Sequence, residues 1–557
     1  MNNSSRTPLF LLPAVLLLSS PAPAQQAQPA APDRLESALQ GHIRFLADDL
    51  LEGRGLGQRG HEIAARYIAA NFAALGLIPA GNANPAAPAD AWFQRITFAE
   101  RSYTSKEETL TYKNAGKTQI WLNGQDALLS PGNTEGAEEI TAPLVFAGFG
   151  LFDPSLNIDD FAGLDVTGKI VVVLTGAHPG LPSETAAHLS RVSKASRAAE
   201  LGAVGLVQIR TYTEQARVPF SKMAARARMP ARGPLGPDGL PLGDGAGLKI
   251  RATLDDTPAA ALFVPGALAK LLDEARTRPL KGFALPGTLT IKRAQSITRI
   301  TSPNVLALLP GTGPRANEVV LLSGHSDHLG LKANTPEGED NIYNGAMDNA
   351  AGIATLIETA RALAAGPRPK RSILFLATTA EESGLLGADY WSRFPTIPLA
   401  RVIAALNIDM PILTCDFGDV VAFGAEHSTL ITSVTAAARA ENLRVSPDPL
   451  PQEAIFTRSD HYPLVRAGIP AVFLMTGERD TKGGQSCGAP QTTFRLTHYH
   501  EVTDDLTLPF NWQAAAKFTR LNIGIARRLT TGPRPLWFQN DYFGNAFAPE
   551  APKAKKR

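Results

Sequence analysis

The second half of the chain predicts an α/β fold: a mostly parallel sheet with helices on both faces. Two observations carry this. From about residue 303, apolar strand-like runs alternate with helical ones: "VVLLSG" leads to His325, the helix "NAAGIATLIETARALAA" follows, "SILFLAT" leads to Glu381 and Glu382, "RVIAALNIDM" delivers Asp409, and "IPAVFLMTG" comes later. Each run also ends in polar residues, and in such sheets ligands collect outside the carboxyl ends of the strands. The 557 residues, 44% hydrophobic and 19% charged, suit a folded protein of more than one domain.

Taken in order, the chain opens with one Arg and the apolar run "PLFLLPAVLLLSS", then Ala22, Pro23 and Ala24 ahead of Gln25. This pattern predicts a signal peptide over residues 1–24 and an exported product, periplasmic or extracellular. No later stretch approaches the ~20 apolar residues of a membrane span. The segment "RLESALQGHIRFLADDLLEGRGLGQRGHEIAARYIAANFAALGLIPAG" reads as two amphipathic helices around a glycine-rich turn. Between about 140 and 290 the texture changes to short strands ("APLVFAGFG", "GKIVVVLTGA"), one helix-to-strand unit, and the Gly/Pro loop "MPARGPLGPDGLPLGDGAG", read as a flexible excursion. The expected division is 33–130 and 296–530 for one domain, 131–295 for a smaller α+β, β-rich insertion, and 531–557 for a tail, with "KAKKR" frayed. A formal charge of +2 and no basic run interleaved with aromatics argue against nucleic acid as a partner. Cys415 and Cys487 cannot build a disulfide framework, although an oxidising compartment permits one bridge between them.

The strand ends gather His325, Asp327 and His328 in "SGHSDHLG", Asp348 in "NGAMDNAAG", Glu381 and Glu382 in "TAEESG", and Asp409 in "LNIDM". Singly, Asp348 reads equally well as a helix cap and His325 as a satisfied core histidine. Together they put so much buried negative charge at one sheet edge that a cation is needed. Imidazole and carboxylate without thiolate suit zinc or a similar ion in a catalytic site. Five ligands suffice for two ions sharing a carboxylate, and adjacent glutamates then divide into a ligand and a general base.

In these blocks, with "LEGRGLGQRG", "RSDHYPLVRAGIPAVFL" and "YHEVTDD", the chain resembles the co-catalytic di-zinc aminopeptidases that carry an inserted protease-associated domain. The resemblance runs from about residue 35 to 530. It implies the zinc-exopeptidase (phosphorylase/hydrolase-like) three-layer sandwich, two zinc ions per chain, and peptide substrates with a free N-terminus. Carried over by motif, it implies that His325 and Asp409 hold one zinc, Glu382 and His500 the other, that Asp348 bridges both, and that Glu381 is the general base. His500 rather than His498 matches because Asp504 trails it by four residues. Asp327 is implied as the partner that fixes the His325 tautomer, and Tyr499 as a donor to the oxyanion. Zinc carboxypeptidase action of the same fold is the alternative.

Two rival motifs are weaker. "GQSCG" around Ser486 fits the GxSxG nucleophile elbow, yet neither flank reads as regular structure. "HEVTD" ends in Asp504 where the single-zinc HExxH helix needs histidine. A non-catalytic, receptor-like protein of this fold is expected to have lost ligands, and here all five are present.

Overall fold

In a computed structural model of the full chain, the described residues are Met1, 33–82 and 88–556. The expected signal peptide lies outside them. Among the described residues, no helix is long and apolar enough to cross a membrane.

The central sheet is built from β1 (Phe93–Tyr103), the distal half of a long β7 (Phe283–Leu309), β8 (Val319–His325), β9 (Ser372–Thr378), β10 (Val402–Ile408), β11 (Asp419–Phe423) and β12 (Ala471–Thr476). Its order is β1-β7-β9-β8-β10-β12-β11. The four strands from β9 to β12 are parallel, and antiparallel pairings lie outside them. Strand alternation sorts the side chains between two cores. On β8, Val320 and Leu322 join the face covered by α1 (Arg34–Leu46), α2 (Arg59–Ala74), α4 (Ala351–Ala364) and α9 (Trp512–Thr531). Val319 and Leu321 point to the opposite face, with Trp391 of α5 (Leu386–Arg393) and Leu464 of α7 (His461–Arg466). This is the expected three-layer α/β sandwich, and it leaves the β8, β9 and β10 termini at one edge.

A second core lies in the inserted region, on β4 (Ile170–Leu174), β5 (Gly205–Ile209) and β6 (Ile250–Leu254), with Leu189 of α3 (Ser183–Glu200). Leu110, Tyr112, Trp121 and Leu129 belong to the same core, so the boundary expected at residue 131 falls inside it. The expected boundary at 295 is likewise bridged by β7, whose first half pairs with Gly136–Phe146 and whose second half enters the central sheet. Two further expectations are corrected. The Gly/Pro stretch is anchored, since Ala231–Pro234 pairs with Phe98–Arg101 of β1. The C-terminal segment packs as well: Trp537–Phe538 pairs with Lys553–Ala554, and Trp537 and Phe543 are buried in the second face of the sheet. Apolar aromatics at 537, 538 and 543 are the reason, because each gains by leaving water.

Candidate metal centre

The parallel sheet delivers His325 at the end of β8, Glu381 and Glu382 just past β9, and Asp409 just past β10. Asp348 sits in the turn before α4, and His500 in the turn after α8 (Gly488–Thr497) with a left-handed φ of 59°. The structure brings all six together. His325 Nε2 lies 3.0 Å from Asp409 Oδ1 and 3.1 Å from Asp348 Oδ1. His500 Nε2 lies 3.0 Å from Glu382 Oε2 and 3.3 Å from Asp348 Oδ2. Asp348 thus offers one oxygen to each of two clusters. His498 turns away and pairs with Thr503 on the surface.

Each imidazole nitrogen faces two carboxylate oxygens, and one N–H cannot serve both well. A cation among the three atoms satisfies them all. Ligands about 2.0–2.1 Å from a tetrahedral zinc stand about 3.3 Å apart, close to the separations here. The all-nitrogen-and-oxygen donor set also fits such an ion. His328, gathered among the strand-end residues but given no role by the sequence, joins the second cluster: Nδ1 is 2.6 Å from Glu382 Oε1, while Nε2 is buried without a partner. Its ligand atom lies within 4.8 Å of those of Asp348 and Glu382.

Electrostatics follow from seven carboxylates around one point: Asp327, Asp348, Glu381, Glu382, Asp409, Asp460 and Asp504. Burial, then Asp409 and Glu382, push the Glu381 carboxyl well above its ordinary range against the pull of His325. Glu382 goes the other way. Burial and Asp348 would raise it, but His328 and His500 hold it down at about 2. The two adjacent carboxyls are therefore shifted in opposite directions, with Glu381 the more basic of the pair. Burial tends to lower the His325 pKa, yet Asp409 and Glu381 carry it well above the usual imidazole value.

The supporting contacts fix these side chains. Asn349 Nδ2 donates to the carbonyls of His325 (3.2 Å) and Ile408 (3.1 Å), and its Oδ1 accepts from Met410 N (3.1 Å), tying two strand ends to the Asp348 turn. Asp504 accepts from the backbone N–H of Met347 (2.9 Å) and Asp348 (3.0 Å). The residue that singled out His500 by its spacing therefore holds the shared carboxylate in place. Gly345, with φ 59°, fits because a Cβ there would come within 2.6 Å of the His328 ring. The expected role of Asp327 is corrected: its main-chain carbonyl, 3.1 Å away, faces His325 Nδ1, while its carboxylate accepts from Glu381 N (3.1 Å). The Asp327 carboxylate itself stands 4.0 Å from the ring nitrogen.

Arg54, in the "EGRG" turn, was also passed over. It is 2% exposed and donates to the carbonyls of Ser326 (3.1 Å), Asn344 (2.6 Å), Gly345 (3.0 Å) and Leu46. Glycine on both sides was the available signal, since it lets backbone approach closely. Tyr499 lines the cleft and stacks on His500 with ring centroids 3.9 Å apart. Burial, then Asp348 and Glu382, hold its phenol well above the ordinary range, so it stays a donor. Ser486 is exposed and donates to Asp480 (2.6 Å). A helix does follow it, contrary to expectation, but the strand before it ends at Thr476 and no histidine is among its hydrogen-bond partners. Cys415 and Cys487 form a disulfide, which pins the loop before α8.

Residues 304–526 match the profile of "Peptidase family M28". The chain is 27% identical over 234 residues to the probable lipoprotein aminopeptidase LpqL of Mycobacterium tuberculosis, covering 40% of this chain and 44% of that protein. It is 29% identical over 217 residues to a probable leucine aminopeptidase 2 of Aspergillus fumigatus, covering 37% and 40%. The matched region spans less than half the length of these curated relatives. Among solved structures, an aminopeptidase from Aneurinibacillus sp. strain AM-1 aligns over 89% of this chain and 94% of that one, with TM-score 0.49 and 20% identity. The matched segment 304–526 contains His325, Asp348, Glu381, Glu382, Asp409 and His500.

Proposed function

We propose that the chain is an exported zinc-dependent aminopeptidase, binding two zinc ions and removing N-terminal residues from peptides. The observation that carries this is the shared Asp348 carboxylate, with a separate imidazole 3.1 or 3.3 Å from each oxygen. In this reading His325, Asp348 and Asp409 hold one ion, and Asp348, Glu382 and His500 the other. When bound, such ions polarise a peptide carbonyl and neutralise the oxyanion that develops on it. Glu381, the more basic of the adjacent pair, takes a proton from the attacking water and returns it to the leaving amine. Tyr499, held as a donor beside His500, is placed to hydrogen-bond that oxyanion. A peptide's α-ammonium gains Coulomb energy beside these carboxylates in a partly desolvated cleft.

The donor set supports zinc, and the similarity to aminopeptidases supports amino-terminal cleavage. The disulfide supports export into an oxidising compartment. The inserted core is proposed as the protease-associated domain. The test is hydrolysis of leucine arylamide by the zinc-loaded protein, compared with the same peptide blocked and unblocked at its N-terminus. Cleavage confined to free N-termini is expected; cleavage of N-blocked peptides from the C-terminus would turn the assignment to a carboxypeptidase.

A further inference from the structure

The inserted domain stands over the candidate metal centre and encloses, with it, a cleft of about 940 Å³. Glu381, Glu382, Tyr499 and His500 form one wall, and α3 contributes Arg191 to the other. That size suits a small molecule or short peptide rather than a folded chain.

Arg191 Nη1 donates to the carbonyl of Thr457, which brings it beside Arg458, a residue of the catalytic side lining the same cleft. Two guanidinium groups thus line one cleft with Glu381 and Glu382. Burial, and then the Arg458 charge, lower the Arg191 pKa, while Tyr462 and Glu381 act to raise it. Arg458 in turn acts on Tyr499. Both guanidinium groups line the cleft that also holds the candidate base and the candidate oxyanion donor. Other charges in the cleft are accounted for within their own walls: Arg217 pairs with Glu214 at 2.8 Å, and Arg458 reaches Glu453 at 3.3 Å, a pair open enough to solvent to be worth little. Among the described residues Arg191 has no carboxylate partner.

Both guanidinium groups are partly open to solvent in the cleft, and Arg191, without a carboxylate partner, is free to take one from a ligand. A guanidinium fork matches the two oxygens of a carboxylate. We propose that Arg191 and Arg458 form a carboxylate-recognising subsite that selects short peptides presenting a carboxylate near the scissile bond. This rests on the aminopeptidase reading. The carboxylate comes either from the C-terminus of a di- or tripeptide or from an acidic side chain in the second position.

Two substrate pairs separate these sources: Leu-Gly against Leu-Gly-amide, and Leu-Asp-amide against Leu-Asn-amide. The zinc-loaded wild type is expected to favour the charged member of at least one pair by about tenfold or more in kcat/KM, the scale of a charge-assisted bidentate contact. In Arg191→Gln that ratio is expected to fall towards one. A wild-type ratio near one for both pairs, or a ratio that survives Arg191→Gln, overturns the subsite. Calorimetric binding of the same four compounds to zinc-loaded Glu381→Gln reads the subsite without turnover. Discrimination in binding with no hydrolysis of leucine arylamide by the wild type would remove the aminopeptidase reading and keep the subsite. Arylamide hydrolysis without discrimination would do the reverse.

Discussion

Replacing Arg54 by Met tests whether a buried cation under the carboxylate cluster holds the centre together. The guanidinium is 2% exposed, so its burial depresses its pKa to about 10, with Asp504, Asp348, Asp327 and Glu382 pulling the other way. Methionine approximates the stem but strands four carbonyl acceptors, those of Leu46, Ser326, Asn344 and Gly345. Hydrogen bonds to a charged group contribute about 1.5–3 kcal/mol each, but four sharing one donor group do not add. Removing one side of a buried charge arrangement costs about 3–5 kcal/mol, which is the expected loss here. With a urea m-value of about 2–3 kcal/mol/M, the midpoint of the unfolding transition should fall by about 1–2 M. Equilibrium urea unfolding of metal-free wild type and variant, followed by far-UV circular dichroism, measures this. A midpoint within about 0.3 M of wild type at unchanged m would refute the argument that Arg54 is the structural counter-charge.

Glu381→Gln should retain two zinc ions per chain by elemental analysis while kcat drops by about 10²–10⁴, because the shape stays and the proton acceptor goes. Asp348→Ala should empty both sites, since one carboxylate serves both clusters; retention of two ions would exclude the sharing. Reducing Cys415–Cys487, whose residues are 72 apart, should remove about 4 kcal/mol of stability in the chain-entropy picture and raise KM before metal is released, readable by thiol titration beside kinetics. His427, pushed up to about 10 against the lowering effect of burial by Asp541 (2.7 Å) and Glu184 (3.0 Å), should stabilise fully below about pH 6.5 and lose that contribution as pH rises towards 10. His427→Gln should therefore lower the melting temperature more at pH 6 than at pH 10, and an equal drop at both would remove the ion pair from the account.

The half that carries the candidate site was legible because a strand buried on both faces writes itself as a mostly apolar run, and its end is marked by the first ionisable residue. His325, Glu381 and Asp409 all announce themselves this way. Residues that act across long separations left weaker marks. Arg54 reaches carbonyls about 290 positions away, and only its flanking glycines hinted at close packing. His328 stood in a recognised block, but nothing in the local pattern revealed that its ring meets Glu382, 54 positions on. The insertion's boundary was misjudged for a related reason. The strand Thr109–Asn114 looks no different from its neighbours, and it is the pairing with residues 288–292 of β7 that assigns it to the second core.

The same long-range pairing explains why the cleft keeps its shape. The inserted domain is carried on β1 and β7, two strands that run continuously into the central sheet. It is then tied down at the far side by independent contacts: His188 with Tyr462, Arg191 with the Thr457 carbonyl, Tyr542 with Asp153, and His427 with Glu184. One of these comes from Tyr542 in the C-terminal segment, and Asp541 of the same segment backs His427, so that segment acts as a clasp between the two cores. A domain hinged on one side only would open with little resistance. One that is anchored at both sides keeps Arg191 in the wall of the cleft that also holds Glu381. Under the proposed reading, this arrangement favours chain ends and short peptides over the interior of a polypeptide, because an extended chain would have to pass through the walls that α3 and residues 452–458 form together.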